Sequence, residues 1–249
     1  MIIKHADKHR WIKAINPDIF SDFGKNNTKK ITSLLATLTD TTITHTFTLL
    51  TEADTIWFTQ LYTTNLASKH NPKPHNVYET TLGKPVMKFP YYILTIFEQG
   101  KPIGGTIFTL RTDRLSMVYR TYASDWCIEK SKCSPALYAE YLATKFAQDQ
   151  HLPYLVHGRD QNPYGVNSHV GVAIFKLSVG CSADLTIIHT INETDLNTLP
   201  YGSLLLTYPD NTVNITAGYL IGDEETASKY EQLFKYPEQL LVTLFTPTL

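Results

Sequence analysis

Residues 153–183, PYLVHGRDQNPYGVNSHVGVAIFKLSVGCSA, decide the fold that this sequence predicts. They begin with a short apolar strand at 154–156, which is followed by the polar turn HGRD and a loop. A helix carrying Phe175 and Lys176 comes next, and Gly180 ends it. A strand that delivers an arginine and an aspartate to a loop, with a basic helix after it, is a common way to build a site for an anionic ligand. The stretch therefore predicts a strand, loop and helix that together carry a binding site.

The strongest β signal lies upstream of this stretch. Three runs rich in β-branched and aromatic residues are separated by short polar turns, which predicts a three-stranded antiparallel meander. The runs are residues 91–98, 103–110 and 115–123. Gly104 and Gly105 in the middle run indicate a β-bulge or a close approach of two backbones. Ser134 and Pro135 then begin a helix, because proline is favoured in a first helical turn, and the helix ends near Gln150.

Apolar spacing and turn residues predict the remaining elements. Further helices are expected around His9 to Ile15 and over 28–38, 52–68 and 224–234. Further strands are expected over 43–50, 184–189, 203–207, 213–221 and 239–245. Residues 69–90, rich in proline, are expected to form a loop or a pair of short elements that covers a site. A meander followed by a strand, helix and strand puts antiparallel and parallel pairs into one mixed sheet with helices on its faces. The predicted fold class is therefore α/β of the α+β kind.

Composition bounds the class of partner. With 22 basic and 23 acidic residues in 249, the chain is almost neutral, which gives no basis for expecting DNA binding. Its three cysteines form no Cys-x-x-Cys pair, which favours reduced thiols over a disulfide or a zinc site. The first residues carry charges where a signal peptide needs an apolar core, and no run approaches about 18 apolar residues. A cytoplasmic protein without a transmembrane segment is expected.

Three local matches make this sequence similar to the GNAT N-acyltransferase fold, and within it to the FemAB-like enzymes of bacterial envelope biosynthesis. EQGKPIGG at 98–105 resembles the turn between the first two meander strands, and SPALY at 134–138 resembles the entry into the central helix. The third match is the stretch 153–183, in which Gly158-Arg159-Asp160 resembles the turn after the strand and Phe175-Lys176 with Gly180 resembles the family's Phe-Lys-x-x-Phe-Gly signature. These matches lie within residues 91–190.

The resemblance implies a division of the chain and a reaction. The division is an N-terminal helical segment (1–40), a GNAT-like acyltransferase core (41–191) and a C-terminal α/β extension or small second lobe (192–249). The implied reaction is direct attack of an acceptor amine, in an envelope precursor or an amino sugar, on an acyl-CoA or an aminoacyl-tRNA. The acceptor that the resemblance implies carries the amine on a small molecule, a peptide or an amino sugar.

Three departures from the family pattern leave a rival open. The stretch 126–135 has no glycine where the CoA-binding branches cradle pyrophosphate, so CoA binding is in question. The sequence also shows neither a helical-hairpin insertion nor the clustered lysines and arginines typical of tRNA binding, so neither donor is favoured. Phe175 stands where those branches often have a tyrosine general acid, and Val179 replaces the usual phenylalanine of the signature. The rival is a GNAT-like scaffold that has lost catalysis and acts as a binding module.

Candidate site residues follow from these positions. His157, at a strand end, and Glu98, at the end of the first meander strand, are the candidate proton acceptors, although a structural histidine and a solvated turn acid are the alternatives. Arg159 and Lys176 are candidates for holding an anionic ligand, and Asp160 is placed in the same substrate site. The alternatives are an Arg159–Asp160 structural pair and a surface lysine.

The third meander strand and the proline-rich loop supply the last candidates. Tyr119 and Arg120 are candidates for lining the acceptor channel, and by alternation only one of them faces a given side. His70 and His75 have no acid or cysteine at ligand spacing, so no metal is expected.

Overall fold

The computed structural model describes residues 1–67, 76–85, 88–123, 131–186, 189–208 and 212–248, without the side chain of Asp40. Within these residues the helices are α1 (Lys25–Thr37), α2 (Glu52–Ala67), α3 (Val77–Thr80), α4 (Pro135–Asp149), α5 (Val170–Ser178) and α6 (Glu224–Lys229). The strands are β1 (Ile2–Ala6), β2 (Lys8–Ala14), β3 (Ile43–Leu49), β4 (Tyr91–Glu98), β5 (Lys101–Leu110), β6 (Arg114–Tyr122), β7 (Tyr154–Gln161), β8 (Ser182–Leu185), β9 (Ile191–Asp195), β10 (Leu204–Thr207), β11 (Asn214–Ile215), β12 (Ala217–Ile221) and β13 (Leu241–Phe245).

These elements form two compact units. The meander unit comprises residues 15–21 and 25–155, and the terminal unit comprises 1–14, 22–24 and 156–249. The three-part division expected from the sequence is based on the family resemblance and not on which residues pack together. It therefore stays a prediction.

The meander unit is built on an antiparallel sheet with the strand order β6-β5-β4-β3. This confirms the predicted meander and adds the strand predicted at 43–50 as its edge. The capping sequence before α2 works as expected, because Thr51 and Asp54 exchange hydrogen bonds between side chains and backbone amides. Ser134 likewise caps α4 by accepting the amide hydrogen of Leu137. Both helices predicted from these caps are confirmed.

The glycine pair in β5 marks the predicted bulge. Ile96 of β4 lies opposite Gly104, but Phe97 lies opposite Pro102, so one extra residue is accommodated in β5. A Cβ atom on Gly104 would lie 2.2 Å from the ring of Tyr122, closer than any real contact. A glycine is therefore required at this bulge.

The terminal unit contains three groups of strands. β1 pairs with β9, and β10-β12-β13 form a small sheet in which β12 and β13 are parallel. In the third group the order is β11-β8-β2-β7. The hairpin predicted between 203–207 and 213–221 is confirmed in part: β10 pairs antiparallel with β12, whereas Asn214–Ile215 form β11 and pair with β8. Parallel and antiparallel pairs with flanking helices confirm the predicted α/β class.

Several local predictions were wrong. Residues 8–14 form β2 rather than a helix, and β7 continues through the predicted HGRD turn, with Gly158 at a φ of 76°. The strand expected at 184–189 is β8, which ends at Leu185. The helix expected to reach residue 234 ends at Lys229 and is followed by a 3-10 turn.

The error at β2 has a clear physical cause. Its buried residues are His9, Trp11 and Lys13, which alternate with partly exposed neighbours as a strand requires. Because two of the three are polar, the period-2 pattern is invisible to a reading based on apolar residues.

Candidate functional site

The inward face of β2 brings ionisable groups into the core of the terminal unit. His9 and Lys13 are both buried, and so is Trp11 between them. The Lys13 ammonium lies 3.6 Å from the centroid of the Phe23 ring, which holds the charge by a cation–π contact. A strand that buries two basic side chains needs partners that compensate for their lost hydration.

Five of the residues in this unit form a continuous hydrogen-bonded cluster, the Asp160 network: His9, Trp11, Asp160, Tyr164 and Lys176. Asp160 Oδ2 accepts hydrogen bonds from Lys176 Nζ at 2.7 Å, Tyr164 Oη at 2.7 Å and Trp11 Nε1 at 3.1 Å. Tyr164 Oη also accepts from Trp11 Nε1 at 2.8 Å and lies 2.7 Å from His9 Nε2. The network thus links β2, the end of β7, the following loop and α5.

The bonds around Tyr164 set the tautomer of His9. The Tyr164 hydroxyl gives its single hydrogen to Asp160, so it can only accept from His9. His9 Nε2 therefore carries the hydrogen and Nδ1 carries a lone pair. Nδ1 is buried and has no hydrogen-bond partner among the described residues.

Burial determines the protonation states of the His9 imidazole and the Tyr164 phenol. Loss of water lowers the pKa of His9 from 6.5 to about 4, opposed by the charge of Asp160 and reinforced by that of Lys176. Burial and the neighbouring Asp160 charge raise the pKa of Tyr164 well above 10.0. At neutral pH both side chains are therefore uncharged.

Asp160 and Lys176 form the charged centre of the network. Burial by itself raises the pKa of Asp160, but the Lys176 ammonium and the hydrogen bonds from Lys176 and Tyr164 outweigh it, so the pKa lies below its usual value. Lys176 is only 2% exposed, whereas the Asp160 side chain is 15% exposed. Oδ2 takes all three bonds, and Oδ1 accepts none from the described residues. The three hydrogen bonds therefore converge on one of the two carboxylate oxygens.

Local sequence explains how α5 presents Lys176. His169 caps the helix by accepting the amide hydrogen of Gly171, and Gly180 ends it at a φ of 86°. A Cβ on Gly180 would lie 2.3 Å from Cβ of Asp22, so the glycine also permits the segment 22–24 to pack against the helix end. The Gly24 amide donates to the carbonyl of Ser178 at 2.8 Å. These contacts fix the register of the helix and with it the direction of Lys176.

The structure brings together only some of the residues predicted for this site. Asp160 and Lys176 are in direct contact, which the sequence reading did not foresee, since it considered an Arg159–Asp160 pair instead. Arg159 is exposed and makes no ion pair with a described residue. His157 is buried within β7. The assignment of substrate roles to Arg159, Asp160 and Lys176 stays a prediction.

Glu98, Tyr119 and Arg120 belong to the meander unit. Glu98 is half-buried at the end of β4, opposite Lys101 across the turn. The Tyr119 hydroxyl donates to Oγ1 of Thr80 in α3, and its ring packs edge-on against Tyr62 of α2. Alternation places Arg120 on the other face of β6. Of the two candidates for the acceptor channel, Tyr119 is thus on the α2 face.

A groove runs along α2 on this unit. One side of α2 from Glu52 to Ala67, together with Tyr78 of α3, encloses about 860 Å³. Tyr119 helps to shape it, because its bond to Thr80 holds α3 beside α2. The groove is a second candidate for a substrate surface.

The start of α4 is where a CoA pyrophosphate would be expected from the resemblance. Leu137 already donates its amide hydrogen to the Ser134 hydroxyl, and Cys133 donates to the Ser131 hydroxyl. Pro135 has no amide hydrogen. Three backbone groups that would cradle a phosphate are therefore used or absent, so the described part of this turn fits CoA poorly.

Some predicted features lie outside the described residues: His70, His75 and the part of the glycine-free stretch from 126 to 130. Among the residues that are described, no group of three histidine, cysteine or acidic side chains is placed to hold a metal ion. In the same part of the chain, no helix combines the length and the apolar character needed to cross a bilayer.

The sequence reading missed His9, Trp11 and Tyr164. The only available signal was the alternation in KHRWIKA at residues 8–14, in which large side chains occupy every second position. Tyr164 lies in a loop with no periodicity, and only the fold brings it to Asp160.

Comparisons with known proteins support the fold. No family model matches the sequence, and no curated protein matches it either. Among solved structures, FemX matches with a TM-score of 0.52 and 12% identity over 74% of this chain and 61% of that chain. L-PGS from Bacillus licheniformis follows with a TM-score of 0.48 and 10% identity over 77% and 60% of the two chains. The C-terminal domain of a putative lysylphosphatidylglycerol synthetase from Agrobacterium fabrum has a TM-score of 0.45 and 7% identity over 72% and 53%.

The fold assignment rests on FemX, of whose length this chain spans about three fifths. An identity of 12% shows a shared fold and says nothing of a shared substrate. The predicted resemblance is confirmed at that level: the chain has the fold of the FemAB-like branch of the GNAT superfamily.

Proposed function

We propose that this protein is an N-acyltransferase of the FemAB-like type. An acceptor amine attacks the carbonyl carbon of an activated acyl group, a C–N bond forms, and the bond from carbon to the oxygen or sulfur of the donor breaks. The amine loses one proton, and the leaving group takes one up. The observation that carries the proposal is the Asp160 network.

The network has the character of a functional site because burying its charged groups costs free energy. A buried ion pair is often no more stabilising than apolar residues of the same volume, so its presence calls for another reason. Asp160 and His9 have pKa values shifted in ways that hold one charged and the other neutral at pH 7. Shifted groups of this kind cluster at sites of chemistry.

Asp160 is the group proposed to position the acceptor amine. Its carboxylate stays ionised, Oδ2 is fixed by three donors, and Oδ1 remains to accept a hydrogen bond from the amine. Fixing the amine in this way lowers the entropic cost of attack. Within the same unit His157 stays the candidate for taking the proton, and Arg159 for binding an anionic part of the donor. Glu98 belongs to the meander unit, and its role as a proton acceptor stays a separate prediction.

The donor is proposed to be an aminoacyl-tRNA in preference to an acyl-CoA. The start of α4 supports this, since its amides at Cys133 and Leu137 are already bonded to serine hydroxyls. The acceptor proposed from the resemblance is an amine of an envelope precursor or an amino sugar. The proposed donor and the proposed acceptor are both open to direct test.

The test is a transfer assay on the purified chain with aminoacyl-tRNA or acetyl-CoA as donor and glucosamine or an amine-bearing envelope precursor as acceptor. Asp160→Asn should lower kcat/KM by about 100-fold, because the amide keeps the shape and loses the charge that orients the amine. The control is Arg114→Ala, which removes a partly exposed arginine whose ion pair is with its neighbour Asp113, and it should leave kcat/KM within about twofold.

Two results would count against the proposal. Transfer that survives Asp160→Asn unchanged would remove the network from the reaction. Tight donor binding by calorimetry without turnover for any acceptor would favour the rival, a GNAT-like binding module that has lost catalysis.

A further inference from the structure

β3 is the edge strand of the sheet in the meander unit, and its outer side pairs with no other strand of the described residues. The Leu50 amide donates to the carbonyl of Tyr91, and the Gln99 amide donates to the carbonyl of Thr42. Residues with even numbers in this segment therefore direct their backbone groups toward β4, and those with odd numbers direct theirs outward. Apart from the Ile43 amide, which reaches the hydroxyl of Thr41, these outward groups have no partner among the described residues.

β3 also lacks the sequence features that normally prevent an edge strand from pairing with another chain. Its sequence, ITHTFTL, contains no proline and no lysine, arginine, aspartate or glutamate. Its pairing with β4 has no bulge. By contrast, β11, which ends its row of strands in the terminal unit, is only two residues long. Most of β3 is exposed, and Leu49 at its end is 58% exposed.

The two faces of β3 differ in a way that suits pairing with itself. The side chains of His45 and Phe47 point to α4, where His45 contacts the Tyr138 hydroxyl and Phe47 stacks on Phe146 at 3.9 Å. The side chains on the opposite face are all threonines and are exposed. They are Thr44, Thr46 and Thr48.

When a second copy of β3 is placed antiparallel to the first and centred on Thr46, every residue of the strand faces a compatible cross-strand partner. Thr46 meets Thr46 of the second copy, and Thr44 meets Thr48, which are favourable cross-strand pairs. On the other face His45 meets Phe47 and Ile43 meets Leu49, pairing aromatic with aromatic and aliphatic with aliphatic. No position brings two like charges together.

We propose that β3 is a homodimer interface, in which two copies of this chain join their β3 edges antiparallel about a two-fold axis at Thr46. The outward amides and carbonyls of the two strands then satisfy one another. Because the contact is isologous, it uses both edges and closes at two subunits instead of growing into a fibre. This inference is independent of the proposed enzymatic function.

The test is the oligomeric state of the full chain by sedimentation velocity over a range of concentrations. The wild type should sediment as a dimer, with twice the monomer mass of 28.2 kDa. Thr46→Lys places two ammonium groups opposite each other at the axis, where the pair is not hydrogen-bonded and side chains come closest, and should raise the dimer Kd about tenfold or more.

Matched variants separate the edge from general effects of charge. Thr112→Lys, in the exposed turn between β5 and β6, makes the same change elsewhere and should leave the Kd unchanged. Thr46→Glu should also weaken the dimer, and mixing it with Thr46→Lys should restore association by opposite charge. A wild type that stays monomeric, or a dimer that both Thr46 variants leave intact, would overturn the proposal.

Discussion

His9 provides a quantitative test of the Asp160 network. Its imidazole is fully buried, and burial lowers its pKa from 6.5 to about 4. Above pH 6.5 the histidine is neutral in both the folded and the unfolded chain, so its full contribution to stability is present there. As the pH falls from 6.5 toward 4, only the unfolded chain takes up the proton, and the free energy of unfolding decreases. A shift of this size costs roughly 3 kcal/mol by pH 4, at about 1.4 kcal/mol per pKa unit.

The variant His9→Gln removes the titration and keeps an amide donor near the position of Nε2, next to the Tyr164 hydroxyl. Urea unfolding of both proteins, followed by circular dichroism at a series of pH values, gives the difference in unfolding free energy. Any constant cost of the substitution appears at every pH, whereas the wild type should lose roughly 3 kcal/mol relative to the variant across the window. His151→Asn, at an exposed histidine, should retain the wild-type loss. A difference that stays flat between pH 6.5 and 4 would refute the claim that the fold holds His9 neutral.

Three further outcomes follow from single contacts. Lys176→Met should cost about 3–5 kcal/mol in urea unfolding by leaving Asp160 buried and unpaired, whereas Lys176→Met with Asp160→Leu should recover most of that loss. Gly180→Ala should lower the melting temperature well beyond the effect of Gly100→Ala, since both have positive φ but only Gly180 has an atom within 3 Å of an added Cβ. The buried Cys133 thiol, whose pKa burial raises to about 12, should resist alkylation in a mass-spectrometric assay until the protein is unfolded.

The sequence was informative wherever backbone hydrogen bonds and apolar periodicity act locally. The caps at Thr51 and Ser134, the meander and the glycine at 180 are all short-range signals, and each was found in the structure. β2 was not predicted from the sequence because a buried strand is usually recognised by its apolar residues, and this strand buries a histidine and a lysine. The cost of burying them is offset by partners far away in the sequence, which no local reading can supply.

The same reasoning changes how the signature in α5 is understood. The place of Lys176 in the Phe-Lys motif predicts contact with an anionic ligand, but its ammonium is 2.7 Å from Asp160 and almost completely buried. The pair carries no net charge, and neither His9 nor Tyr164 adds one at neutral pH, so the network as a whole does not attract an anion. Among the residues of β7 that are candidates for binding an anionic donor, Arg159 is exposed and makes no ion pair with a described residue, so the proposal assigns this role to Arg159. The network is better suited to the opposite task of meeting a cationic or hydrogen-bond-donating amine at Asp160 Oδ1, with Lys176 keeping the carboxylate ionised and in place.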